Sequence, residues 1–438
     1  MNVLVVGGGG REHAICWSLA KSGKVSRLYC APGNAGIAGI AECVPIGPMK
    51  FDELVRFARD HGIDLVVVGP DDPLAGGIVD AFEAAGIPAF GPNKAAAEIE
   101  ASKIFMKNLL RKYGIPTARY ETFDDYEKAL VYLRTQRAPI VVKADGLATG
   151  KGVTVARTME EAEDALRRMM IEREFGASGT RVVIEEFMEG QEMSLLAFVD
   201  GETVRPMVPS QDHKPVFDGD RGPNTGGMGT YSPLPHIDPA VVETAVETIL
   251  KPTAAALARE GRPFRGVLYA GLMVTKEGPK VVEFNARFGD PETQVVLPRL
   301  ETDLLDIILA TLNGSLDRID IRWNDEAAVC VIMASGGYPG PYAKGKKIEG
   351  IERAEAAGAL VFHAGTARDE DGDLVTAGGR VLGVVGRGRD IAEARRRAYE
   401  ACGMISFEGA HYRKDIAMKA LAGQQADAAR GRQGASGG

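Results

Sequence analysis

Between Val281 and Thr293 an apolar run carries Glu283, Asn285 and Arg287 at every second position. Side chains alternate faces along a strand, so the three are predicted to point the same way. A carboxylate and an amide oxygen are hard ligands of the kind Mg2+ takes, and a guanidinium pairs with a phosphate or a carboxylate. Together they suit a magnesium–phosphate complex. The competing reading is a solvated strand face on which Glu283 and Arg287 pair with each other.

Four further segments could do chemistry. From Lys143 to Gly152 a strand ends in a flexible turn and a second lysine, Lys151. Such a loop can fold over a triphosphate, donating backbone N–H groups and an ammonium. It is not a Walker A loop, because Gly152 follows Lys151 where that motif needs Ser or Thr. It reads as a hinged hairpin lid around Gly146 and Gly150, or as a surface hairpin with solvated lysines. Lys143 ends an apolar strand, where a charge without a partner is costly to bury. From Arg181 to Glu192 an apolar strand breaks into an acidic turn that holds Glu185, Glu186 and Phe187. Backbone groups there can pair with a purine edge and a carboxylate with ribose hydroxyls; the same segment also fits a linker. Asp212, His213 and Lys214 precede Asn224, Thr225, Gly226 and Gly227 in one polar, Gly- and Pro-rich stretch. Long loops of this kind are usually functional or disordered. The first three suit a zwitterionic substrate, with no catalytic role for His213, and the glycines suit a backbone nest for an anion. Finally, Gly7 to Gly10 lie where a strand meets a helix, a place that favours phosphate. The dinucleotide pattern G-x-G-x-x-G fails at Glu12, so a phosphate or sugar contact competes with a packed turn.

These residues need elements to position them. Strands are predicted over Val3–Val6 and Leu65–Val68 and near Pro88–Phe90, with a helix from Glu12 to Ala20. This is a parallel βαβ pattern. Ser102 is placed to cap a helix reaching Tyr113. Strands over Ile140–Lys143, Val153–Ala156 and Arg181–Glu186 and a helix over Glu160–Met170 make a small α+β lobe. A larger lobe follows, and then a strand-rich region from Ala327 with a helix over Ile391–Ala401. The expected division is 1–101, a Rossmann-like domain; 102–116, a connecting helix; 117–188, a small lid lobe; 189–325, a large catalytic lobe; 326–421, a β-rich domain; and 422–438, a disordered tail with little to bury.

The chain has 438 residues, 45% hydrophobic and 26% charged, with a net charge of −8. That length implies several domains. No basic run offers a surface to nucleic acid. No signal peptide and no membrane span are expected. The five cysteines form no CxxC pair and read as reduced thiols in a cytoplasmic protein.

In this order the segments resemble the ATP-grasp superfamily and, within it, the phosphoribosylamine–glycine ligase family. The resemblance rests on residues 9–14, 31–36, 68–70, 90–92, 143–148, 210–214, 222–229, 283–294, 336–340, 362–366 and 413–416, and fails only in the tail. Ala286 departs from relatives that carry Cys there. Asp71 and Asp72 depart after Val68-Gly-Pro, which puts ribose or phosphate contacts at that point in doubt. The resemblance implies an ATP-grasp core between a Rossmann-like and a β-rich domain, in a mixed α/β and α+β chain. It implies that ATP, glycine and 5-phosphoribosylamine give ADP, phosphate and glycinamide ribonucleotide, a step of purine biosynthesis. ATP is then expected at Lys103, Lys143, Gly146, Gly150, Lys151, Glu185, Glu186, Phe187 and Glu192. Mg2+ or Mn2+ is expected on Glu283 and Asn285. Substrate is expected at Gly9, Arg11, Asn34, Asp212, His213, Lys214, Asn224, Thr225, Gly226, Gly227, Arg287 and Asp290. Arg287, Lys143 and Lys151 are the expected catalytic residues, and the protein is expected to be a monomer. The readings left standing beside this are another ATP-dependent carboxylate–amine ligase, a nucleotide-binding regulator without turnover, and a dehydrogenase built on Gly7–Gly10.

Overall fold

The computed structural model describes residues 1–148 and 150–435. The chain opens with five strands, β1 (Asn2–Gly7), β2 (Arg27–Pro32), β3 (Glu42–Cys43), β4 (Leu65–Val68) and β5 (Ala89–Phe90), in one parallel sheet of order β3-β2-β1-β4-β5. Parallel strands are covered on both faces, which is why Val3–Val6 and Leu65–Val68 are unbroken apolar runs and wholly buried. The order reverses at β1, so the crevice beyond its end falls at Gly7–Gly10, where helix α1 (Gly10–Ala20) begins. These glycines are largely accounted for by packing. Gly7 has φ +129°, and a Cβ on it, or on Gly69, would stand 2.4–2.5 Å from the Glu12 side chain. Glu12 Oε1 accepts from Gly9 N at 3.0 Å and closes the helix start.

Ser102 caps helix α2 (Lys103–Lys112) through Phe105 N, as its position predicts. Next comes an antiparallel sheet of β6 (Tyr120–Phe123), β7 (Ile140–Ala144), β8 (Val153–Ala156) and β9 (Val182–Glu186), ordered β6-β9-β7-β8. Helices Tyr126–Arg134 and Met159–Met170 share a core with it, built on Leu133, Val142, Leu166 and Ile184 and separate from the other cores. The β7–β8 hairpin carries the glycine turn.

Strands β10 (Gln191–Asp200), β11 (Thr203–Pro206), β16 (Arg265–Thr275) and β17 (Gly278–Asn285) form a second antiparallel sheet, β11-β10-β16-β17. A register shift opposite Gly271 and Leu272 leaves Val282 as the extra residue of β17. A bulge of this kind re-aims the side chains beside it. β17 ends at Asn285, so Arg287 is not on the strand face with Glu283 and Asn285 as expected; it lies past the strand and reaches back.

The third main sheet, β12-β15-β18-β22-β19, crosses the boundary expected at 325/326. Its strands β12 (Gln211–Asp212) and β15 (Gly229–Ser232) precede that point; β18 (Ala327–Ala334), β19 (Leu360–His363) and β22 (Arg380–Gly388) follow it. The long polar stretch is therefore an edge of this sheet, with the hairpin β13 (Pro215–Phe217) and β14 (Arg221–Asn224) projecting from it. A small hairpin, β20 (Thr366–Arg368) and β21 (Leu374–Thr376), and the helix Ile391–Met404 complete the region. The tail also differs from expectation: a helix, α3 (Met418–Ala435), runs through most of 422–438. Its Ala, Gln and Arg are strong helix formers even though, among the side chains described, contact with the body of the protein is confined to its first two turns. Residues 436–438 lie outside the described residues.

Arg413, with a side chain 0% exposed, ties the C-terminal segment to the β13–β14 hairpin. It donates to Pro215 O at 3.0 Å, to Asp220 Oδ1 at 3.0 Å and to both carboxylate oxygens of Asp415 at 2.8 and 2.7 Å. Removing one partner of such a set leaves buried polar atoms unpaired. Asp220 and Asp415 reach solvent, which lowers the cost. Arg413→Ala is expected to lose about 2–3 kcal/mol of unfolding free energy in denaturant titration; a loss under about 1 kcal/mol would show that the hairpin is held elsewhere.

Candidate active site

A cleft of about 460 Å³ lies between the β7–β8 hairpin, the turn after β9, strand β17 and the Asp212–Gly226 stretch. Its two ends differ in chemistry.

At one end the walls are apolar, from Val141, Val155, Phe187, Met188 and Met273, and suit a purine ring. Lys103, Lys143, Gly150, Glu185, Glu186 and Glu192 line the same end. Lys143 lies 2.5 Å from Glu185 Oε1 and donates to Val282 O at 3.2 Å. Burial works against the Glu185 charge, but Lys143 and Lys107 outweigh it and hold the carboxyl below the usual range. Lys103 donates to Gly146 O at 2.9 Å, and burial lowers its pKa. The Glu186 carboxylate is taken by Arg119, which donates from its backbone and guanidinium at 2.9–3.1 Å. Asp145, which sequence reasoning missed, fastens the hairpin base to α2: it accepts from Ser102 Oγ at 3.0 Å and Ile104 N at 2.8 Å and pairs with Arg181 at 2.6 Å. Gly150 has φ +75°, a value an L side chain rarely takes. Gly146 lies at the turn but off the cleft wall. Lys151 is exposed and also off the wall, contrary to the expectation that it faces the nucleotide. In a hairpin turn with glycines on both sides, no side-chain contact among the described residues fixes its direction.

In the middle, Glu283 Oε1 lies 3.1 Å from Lys214 Nζ. Lys214 is the main cause, ahead of burial, that takes the Glu283 pKa down to about 2. Asn285 Oδ1 accepts from Arg287 Nη2 at 3.3 Å, and Arg287 pairs with Glu100 Oε2 at 3.3 Å. Glu100 and Arg287 also line the cleft. An ionised carboxylate and an amide oxygen, side by side on β17, fit a divalent cation that takes its remaining ligands from phosphate and water. Among the described residues no group of three His, Cys, Asp or Glu forms a closed metal cage.

At the far end stand Arg11, Asp212, Lys214, Asn224, Thr225, Gly226 and Asp290, joined by Asp71, Tyr269, Glu292 and Arg380. Asp212 Oδ1 accepts from His213 N at 2.7 Å. Burial first, then the Glu292 charge, push its carboxyl well above the usual range. Glu292 Oε1 accepts from Tyr269 OH at 2.8 Å, while its Oε2 is buried without a partner among the described residues. Gly227 backs Asp212: a Cβ there would stand 2.7 Å from Oδ1. Thr225 Oγ1 donates to Lys214 O at 2.7 Å and accepts from Gly227 N at 3.0 Å, shaping the turn. Arg380 enters from β22 and donates to Asp290 O at 2.9 Å and Gly227 O at 3.3 Å. Gly9, Asn34, His213 and Gly227 do not line the cleft. Asn34 instead braces the glycine turn, donating to Gly8 O at 3.0 Å and His363 O at 2.7 Å. His213 is buried, with Nδ1 3.1 Å from Gly229 O, and burial takes its pKa down to about 4.

Of the missed residues, Glu292 lay inside the run already singled out. Glu100 and Arg380 carried no local signal: each reaches the cleft from an element remote in sequence.

Three family models match the chain: Phosphoribosylglycinamide synthetase, N domain, over 1–100; ATP-grasp (A) domain, over 101–293; and C domain, over 328–419. The chain belongs to the phosphoribosylglycinamide synthetase family. A phosphoribosylamine–glycine ligase of Caldanaerobacter subterraneus is 55% identical to it, covering 95% of this chain and 99% of that one. The crystal structure of a phosphoribosylamine–glycine ligase from Thermotoga maritima superposes with TM-score 0.83 at 36% identity, covering 95% of this chain and all of the other. A biotin carboxylase domain of Hydrogenobacter thermophilus 2-oxoglutarate carboxylase, solved with MgADP and bicarbonate, shares the fold at TM-score 0.72 and 16% identity, covering 94% and 91%.

The Asp212 carboxyl binds its proton more tightly in the folded than in the unfolded chain. The folded state then holds more protons, so this group makes stability fall as pH rises past the ordinary carboxylate range. Asp212→Asn is expected to melt at a higher temperature than the parent at neutral pH, with the gap closing near about pH 4. An equal or lower melting temperature at neutral pH would contradict the assignment.

Proposed function

We propose that this cleft joins glycine to 5-phosphoribosylamine at the expense of ATP, giving glycinamide ribonucleotide, ADP and phosphate in purine biosynthesis. The observation that carries the reading is that one cleft is lined by apolar side chains, Lys143, the Glu283–Asn285 pair, Asp212 and the Thr225–Gly226 turn, with Lys143 on Val282 O and Lys214 on Glu283 tying both sides to β17. Membership of the family supports the substrates, and MgADP in the biotin carboxylase neighbour supports the nucleotide and its metal.

The purine lies against Phe187, Met188 and Met273, and Glu192 takes the ribose hydroxyls. Lys103 and Lys143 face the phosphates. Glu283 and Asn285 hold Mg2+, which supplies positive charge to the phosphate oxygens when bound. Glycine lies at the other end, its ammonium toward Asp212 and its carboxylate toward Arg287 and the 225–227 turn. A carboxylate is a poor acyl donor. Transfer of the γ-phosphoryl to it makes glycyl phosphate, and the sugar amine then displaces phosphate. Such a sequence needs alignment and charge neutralisation more than a protein nucleophile. Arg287, fixed by Glu100 and Asn285, is placed to steady the transferring group. The β7–β8 hairpin, with a left-handed glycine at its tip, closes over the phosphates and keeps water from the acyl phosphate. Arg11 and Asp290 stand nearest the remaining space, on the side of the phosphoribosyl group. The enzyme works as a cytoplasmic monomer whose units follow the family's N, ATP-grasp and C regions; among the described residues no helix is long and apolar enough to cross a membrane.

Glu283 supplies the full negative charge of the metal pair. Glu283→Gln is therefore expected to cut ADP release by roughly 100-fold or more, with a melting temperature close to the parent's. Near-normal turnover at saturating Mg2+ would remove the metal assignment.

A further inference from the structure

One cation at the nucleotide end faces nothing in the cleft. Lys107 sits one turn beyond Lys103 on α2, on the same face. Lys103 lines the cleft; Lys107 lies behind its wall. Its side chain is 1% exposed. Nζ donates to Thr117 Oγ1 at 2.7 Å and Ala118 O at 3.0 Å, and lies 3.1 Å from Glu185 Oε2. The two hydrogen bonds account for two of the ammonium's three hydrogens; Glu185 Oε2, which accepts no hydrogen bond among the described residues, faces Nζ at ion-pair distance. The other Glu185 oxygen lies 2.5 Å from Lys143 Nζ. One carboxylate thus stands between two buried lysines, of which only Lys143 can reach a ligand.

Fastening residues 117 and 118 to α2 requires only a hydrogen-bond donor. A buried ammonium adds a charge whose desolvation is expensive unless it is matched. The match is Glu185, and this makes Glu185 different from a simple partner of Lys143. An arriving phosphate competes with Glu185 for Lys143. If Lys143 were the sole counter-ion, turning toward phosphate would leave a carboxylate buried and alone, and that cost would hold the lysine back. With Lys107 behind it, Glu185 keeps a cation whichever way Lys143 turns. Before nucleotide binds, the three charges sum to one positive charge at the end of the cleft where phosphates are placed.

We propose that Lys107 is a positioning residue for nucleotide binding: it keeps Glu185 in charge balance and so frees Lys143 to exchange that carboxylate for a phosphate. The inference rests on the placement of ATP given above. It names a residue that touches no substrate.

The test is a double-mutant cycle on the full chain, with Lys107→Met, Glu185→Gln and the pair, reading KM for ATP, KM for glycine, kcat and melting temperature. Methionine keeps the length of the stem and removes the charge. Lys107→Met is expected to raise KM for ATP roughly tenfold or more, with KM for glycine little changed. In the Glu185→Gln background the same substitution is expected to leave KM for ATP almost unaltered, because a neutral amide no longer competes for Lys143. That comparison stays readable even where Lys107→Met alone folds poorly. A lowered melting temperature with an unchanged KM for ATP would make Lys107 a structural fastener only. An equal rise in KM for ATP in both backgrounds would refute the charge-balance role. Lys143→Met separates the two layers of the argument: if it leaves KM for ATP unchanged, the nucleotide placement fails, whatever Lys107 does.

Discussion

Strand β17 is held between two lysines, and the rest of the site depends on that clamp. Lys143, from the small lobe, donates to Val282 O; Lys214, from the edge of the third sheet, pairs with Glu283. The bulge at Val282 presents its carbonyl and the Glu283 carboxylate to the same cleft. A single strand therefore sets the distance between the lid hairpin on one side and the Asp212–Gly226 stretch on the other. Arg287 extends the arrangement past the end of the strand, where Glu100 and Asn285 fix it.

Burial then divides the cleft electrostatically. Near the lysines, carboxylates are held ionised: Glu283 falls to about 2 under the charge of Lys214, and Glu185 stays low between Lys143 and Lys107. At the far end the balance reverses. Asp212 and Glu292 share a buried space, and burial raises both. The first environment suits a nucleotide phosphate and its cation, the second an ammonium group that arrives without a metal. All of these groups are buried; Glu283 has lysines close by, whereas Asp212 also faces the second carboxylate of Glu292.

Local chemistry made part of this legible in the sequence. The strands Val153–Ala156 and Ala327–Ala334, the Ser102 cap and the helix following it come from apolar runs, a glycine turn and a capping residue, and the folded chain keeps them. Glu283, Asn285 and Lys143 were visible because polar residues interrupt apolar strands there, and Asp212 because it lies in a long polar, Gly- and Pro-rich stretch. What escaped was set at long range. The pairing of β15 with β18 joins segments about a hundred residues apart, and no periodicity announces it. Arg287 was assigned to a strand face because nothing in an alternating pattern says where the strand stops. Lys151 was drawn into the cleft by its spacing alone, while in the glycine-rich turn no side-chain contact among the described residues fixes its direction. The tail was read as disordered for want of anything to bury, yet its alanines favour helix without burial.

The most direct test of the account is a crystal structure with MgADP and glycinamide ribonucleotide bound. The account predicts the adenine against Phe187 and Met273, the phosphates between Lys143 and β17, and the metal touching Glu283 and Asn285, with the glycyl group beside Asp212. A nucleotide lying at Gly7–Gly10, or a metal that avoids Glu283 and Asn285, would contradict it.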